Sequence, residues 1–109
     1  MRAARLRRIV EHDLKPLQLS FPLWWVLYAI RKLTAEKGRA VSQKKISLHT
    51  QIDKNTVSQL IRALSARALI YRDLAWPFPG YRIRLSPKGE SLLAEAERLL
   101  DRFELFPPP

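Results

Sequence analysis

The chain has 109 residues, 47% of them apolar, with 20 Lys or Arg against 10 Asp or Glu, no Cys, and a formal charge of +10 at pH 7. That length predicts one domain, residues 1–109, with a modest core, and the lack of cysteine excludes a disulfide framework, a thiolate metal site and thiol redox sensing. The opening MRAARLRR has no apolar centre of a secretory signal, and the longest apolar run, FPLWWVLYAI over 21–30, is about half the roughly 20 residues of a membrane-crossing helix, so we expect a cytoplasmic protein with no membrane partner.

Arg2 to Leu14 reads as an amphipathic helix, because Leu6, Ile9, Val10 and Leu14 form a stripe while Arg2, Arg5, Arg8 and Glu11 face elsewhere. Pro16 ends it. Ser20, ahead of Phe21-Pro22, caps a second helix that runs to about Lys37 and stops at Gly38. Leu23, Leu27 and Ile30 share one side of it, and Trp24, Val26 and Tyr28 widen the apolar arc. We therefore expect cover on both sides, from the core and from a partner subunit. Ala40-Val41 predicts a very short strand, and Ser42 a cap for a short helix ending near Gln51. Asp53 suits the start of the next helix, which runs to about Arg67, since its carboxylate accepts backbone N–H bonds and complements the positive end of the helix dipole. Two helices joined by a tight turn make a helix-turn-helix over about 42–67. Ala68 to Arg72 and Tyr81 to Leu85 read as the strands of a hairpin, a wing over about 69–85 interrupted by WPFPG. Ser86-Pro87 opens the last helix, about 87–105, on which Leu92, Leu93, Ala96, Leu99, Leu100 and Phe103 have the spacing of a helix-helix seam. Pro107-Pro108-Pro109 reads as a frayed tail. The expected fold class is mainly α with a small β-hairpin: a winged helix-turn-helix whose terminal helices, about 2–14 and 87–105, form a homodimer.

Charge is unevenly spread. From Arg31 to Lys88 there are 13 Lys or Arg against three acids, Glu36, Asp53 and Asp73. Such a cationic middle attracts a polyanion, nucleic acid first. On the predicted helix after Asp53, Val57, Leu60, Ile61 and Leu64 fall on one side, and Asn55, Gln59 and Arg62 on the other, with Thr56 and Ser58 at the edges. Asn and Gln can pair with adenine edges and Arg with guanine edges, while Thr56 and Ser58 suit phosphates or bases. An ordinary wet face would more commonly hold Glu-Lys pairs, and this one holds none. Lys44, Lys45, Lys54, Arg72, Arg82 and Arg84 are the candidates for phosphate contact.

The segment VSQKKISLHTQIDKNTVSQLIRALSARALIYRD, followed beyond the hairpin by RIRLSPKGESLL, resembles the MarR family of bacterial transcription regulators, over about Leu17 to Leu100. Thr56-Val57-Ser58 stands at that family's Thr-Val-Ser helix start, and Leu85-Ser86-Pro87-Lys88-Gly89 at its Leu-Thr-x-Lys-Gly. The resemblance implies a homodimer that binds double-stranded DNA at a pseudo-palindromic site, with the recognition helix in the major groove, the wing at the adjacent minor groove and the terminal helices as the dimer platform. It also implies an aromatic effector between dimer and DNA-binding lobes, for which Trp24, Trp25 and Tyr28 are the residues in place, with core or dimer packing as their other reading. Two departures stand out. The wing tip reads Ala75-Trp76-Pro77-Phe78-Pro79-Gly80 instead of an acid and an Arg, and Ala68 replaces a common Gly. His12 and His49 lie in no metal or catalytic spacing, and no phosphate loop or catalytic acid pair can be assembled, so we expect neither enzyme nor cofactor. The alternatives are a winged-helix protein-interaction module anchored by Trp76 and Phe78, or a nonspecific nucleic-acid-binding protein.

Overall fold

A computed structural model describes residues 2–77 and 80–101; Phe78, Phe103 and the three closing prolines lie outside the described residues. In chain order the elements are α1 (Arg2–Leu14), a 3-10 turn (Lys15–Leu17), α2 (Phe21–Lys37), β1 (Val41–Ser42), α3 (Gln43–Thr50), α4 (Lys54–Ala66), β2 (Ile70–Leu74), β3 (Tyr81–Leu85) and α5 (Pro87–Asp101). The strands form one antiparallel sheet in the order β1-β3-β2. The architecture is mainly α, a helix-turn-helix followed by a hairpin wing, as the residue pattern predicts.

Local chemistry sets the boundaries. The side chains of Ser20 and Ser42 accept bonds from the backbone N–H groups of Leu23 (3.4 Å) and Lys45 (3.2 Å), satisfying donors that a helix start leaves without intrahelical partners. Gly38 (φ 68) and Gln51 (φ 59) close α2 and α3 in the left-handed conformation. Two strand expectations shift. The pairing predicted at Ala40-Val41 falls one residue later, because Val41 opposes Ile83 and Ser42 opposes Arg82. The strand expected to run from Ala68 to Arg72 instead spans Ile70–Leu74. Ala68 (φ 59) donates to the Ser65 carbonyl (2.9 Å) and Leu69 to the Leu64 carbonyl (3.0 Å), so a Schellman turn uses both residues before the strand can start.

One apolar cluster joins Val10 and Leu14 of α1, Leu27 and Ile30 of α2, Ile46 of α3, Val57, Ile61 and Leu64 of α4, Ile83 of β3, and Leu93, Ala96 and Leu100 of α5. Each buried Leu or Ile contributes about 1.5–3 kcal/mol relative to exposure. This divides the seam expected along the last helix. Leu93, Ala96 and Leu100 are fully buried inside their own chain, whereas Leu92 and Leu99 remain half-buried at its edge.

The start of α5 is fastened to the end of α4. The Ser86 hydroxyl donates to the Ala68 carbonyl (2.6 Å) and accepts the Gly89 N–H (3.0 Å), and the Ser86 N–H reaches the Leu69 carbonyl (3.0 Å). A Cβ on Gly89 would sit 2.0 Å from that Leu69 oxygen, so the position admits only glycine without backbone movement. Lys88 donates to the Arg67 carbonyl (3.0 Å), and the Arg67 guanidinium donates in turn to the carbonyls of Leu17 (3.1 Å) and Gln18 (2.8 Å). The Ser-Pro-Lys-Gly segment is thus a clasp, with a separate task for Ser86, Lys88 and Gly89.

Candidate nucleic-acid interface

The turn between α3 and α4 is tied from both sides. The Ser47 hydroxyl donates to the Ile52 carbonyl (2.5 Å), and the Thr50 hydroxyl donates to the Ile46 carbonyl (2.7 Å) while accepting the Ile52 N–H (3.3 Å). From α2, the Trp25 indole N–H donates to the Thr50 carbonyl (3.3 Å). Asp53 then caps α4: one carboxylate oxygen accepts the Thr56 N–H (3.0 Å) and the other the Thr56 hydroxyl (2.6 Å). These bonds, the hydroxyl's first, hold the Asp53 carboxyl below the ordinary aspartate value. They leave Thr56 with only acceptor capacity toward a ligand.

The two faces of α4 separate as the periodicity requires. Val57, Ile61 and Leu64 have no exposed surface, and Leu60 is half-buried against the same core. Asn55, Gln59 and Arg62 are exposed, and Ser58 and Thr56 are half-buried at the margins. Among the described residues, no side chain of Asn55, Gln59 or Arg62 is engaged in an ion pair or hydrogen bond.

The cationic candidates occupy three places. Lys44 and Lys45 lie exposed on the first turn of α3, and Lys54 begins α4. Arg72, Arg82 and Arg84 lie on the wing, where Arg72 stacks over Tyr81 (5.2 Å) and Arg84 over Tyr71 (4.4 Å), its cross-strand partner. Arg84 also approaches Asp73 at 4.0 Å. Arg82 instead turns toward β1, where it meets Lys37, Arg39 and Lys45 around a cavity of about 140 Å³. Sequence reasoning missed Lys37 and Arg39, whose only signal was their basic character; the sheet register is what brings Arg82 to them.

Trp24, Trp25 and Tyr28 pack on one another. Trp25 and Tyr28 stack with centroids 5.9 Å apart and planes 11° from parallel, Trp24 lies 5.9 Å from Tyr28, and His49 approaches Trp25 at 6.3 Å. Trp24 is buried at 6% exposure. The trio therefore braces α2 against the helix-turn-helix.

No family model matches the chain. Solved structures share its fold. A mutant of MarR from E. coli in complex with operator DNA superposes with a TM-score of 0.81 at 15% identity, over 93% of this chain and 69% of that one. The S. aureus MepR–DNA complex gives 0.78 at 22% identity, over 94% and 71%. A MarR-family transcriptional regulator from Rhodococcus gives 0.81 at 22% identity, over 97% and 75%.

Proposed function

We propose that this chain is a sequence-specific, DNA-binding transcription regulator of the MarR kind, a binding protein with no enzymatic role, acting as a homodimer on a pseudo-palindromic site. One observation carries the reading: the second helix of a helix-turn-helix presents Asn55, Gln59 and Arg62 outward with no hydrogen-bond or ion-pair partner among the described residues, opposite a fully buried Val57-Ile61-Leu64 stripe. Polar side chains left uncommitted on a recognition helix suit base edges in the major groove. The fold shared with two DNA complexes supports the same docking, and Lys44, Lys45, Lys54, Arg72, Arg82 and Arg84 supply phosphate contacts around it. We assign Trp24, Trp25 and Tyr28 to packing and not to an aromatic effector, because the rings occupy one another's faces.

Selection of bound sequences from a random duplex pool tests the reading. Enrichment of a two-fold symmetric site, with half-sites about one helical turn or ~34 Å apart, is the expected result. Uniform recovery of all sequences would make the protein a nonspecific nucleic-acid binder. Absence of binding at low salt would make it a protein-interaction module.

A further inference from the structure

Large apolar side chains stand out from the wing: Trp76 is 88% exposed, Leu74 76%, and its cross-strand partner Tyr81 39%. A chain that buries Trp24 to 6% and leaves a second indole almost wholly in water is offering it to something. The surroundings define what. Trp76 lines an open cleft of about 450 Å³ together with Arg39, Ala40, Ala75 and Arg82. Arg39, Ala40 and Arg82 also line the adjoining cavity, where Lys37 and Lys45 join them. Among the described residues, none that lines either space is acidic. Asp73, the register partner of Arg82, lies instead beside Arg84. A neutral or apolar protein surface laid over the cleft and the adjoining cavity would strip water from four cations, Lys37, Arg39, Lys45 and Arg82, without pairing them. A polyanion with flat groups between its charges satisfies the cations and the indole together. Because Lys45 belongs to α3, the adjoining cavity connects the helix-turn-helix to the wing.

We propose, resting on the DNA-binding reading above, that Trp76 is a wedge. Arg39 and Arg82 hold phosphates of the strand that passes the wing, and the indole enters the stack beside them, partly unstacking one base step and kinking the duplex there. The wing then reads deformability instead of base edges: a pyrimidine-purine step at that position is favoured because it unstacks at low cost.

The experiment uses the preferred duplex from the random pool, with 2-aminopurine placed at successive positions outside each half-site. Wild-type protein brightens the probe at one flanking step; Trp76→Phe retains the signal, and Trp76→Ala loses it with about tenfold weaker binding. Arg39→Ala keeps site preference and lowers the slope of log affinity against log salt by about 0.9. Thermal melts confirm that the exposed Trp76 can be truncated without loss of fold. The proposal is overturned by a wild type that brightens no flanking step, or by a Trp76→Ala variant that brightens the same step and binds as tightly. When a preferred site exists and Trp76→Ala binds it unchanged, only the wedge is lost. When no preferred site exists at all, the regulator reading fails and takes the wedge with it.

Discussion

Gln59 and Arg62 are exposed on α4 and make no hydrogen bond or ion pair among the described residues, so truncating either to Ala should leave the melting temperature unchanged. On the best DNA site each truncation should cost about 1–3 kcal/mol and relax preference at one position per half-site, read by titrating single-base variants. Asp53 makes a contrasting prediction. Its folded pKa is depressed by the Thr56 bonds, so its contribution to stability is present above the ordinary aspartate value of about 3.9 and is lost as pH falls through the lower folded value. Asp53→Ala should therefore melt earlier than wild type at pH 7, and the gap should narrow as the pH is lowered below the ordinary aspartate value. Ser20, Ser42 and Asp53 were legible as caps because a cap bonds only three residues ahead. The role of Trp25 was not legible, since its indole meets Thr50 25 positions along the chain and no spacing encodes that bond.

At the scale of elements, the helices read from the residues are all present, and the α4 stripe of Val57, Ile61 and Leu64 is buried as its periodicity requires. Of the α1 stripe Val10 and Leu14 are buried while Leu6 and Ile9 lie outside the described side chains, and the α5 stripe is divided. The errors fall where two elements meet. The late start of β2 follows from the left-handed turn at Ala68, a position that costs a non-glycine residue about 1 kcal/mol. Ala68→Gly should relieve part of that cost and raise the melting temperature by a few degrees. Gly89→Ala should do the reverse, because its methyl group collides with the Leu69 carbonyl: a loss of about 1–3 kcal/mol or more, measured by denaturant midpoint. Lys37 and Arg39 escaped notice for a related reason, since only the β1–β3 register brings them to Arg82.

For the whole molecule, the division of the α5 stripe decides how dimerisation is to be tested. Leu100→Glu should unfold the chain, because that side chain is fully buried in its own core. Leu92→Glu with Leu99→Glu should leave a folded monomer, since both are half-buried at the edge; light scattering at tens of micromolar distinguishes the outcomes, and a dimer that survives would move the interface elsewhere. DNA affinity should fall steeply with salt, and loss of any one of Lys44, Lys45, Lys54, Arg72, Arg82 or Arg84 should reduce the slope by about 1 without altering site preference. The clasp at the end of α4 bears on both tests. Arg67 grips the bend between α1 and α2, and Lys88 grips Arg67 from α5. α4 thus cannot swivel against the rest of its own chain without breaking those three bonds. If the chain binds DNA as the proposed dimer, the molecule would behave as a caliper: its jaws would be the two copies of α4, the gap between them would be set at the subunit joint, and a change there would be delivered undiminished to the DNA.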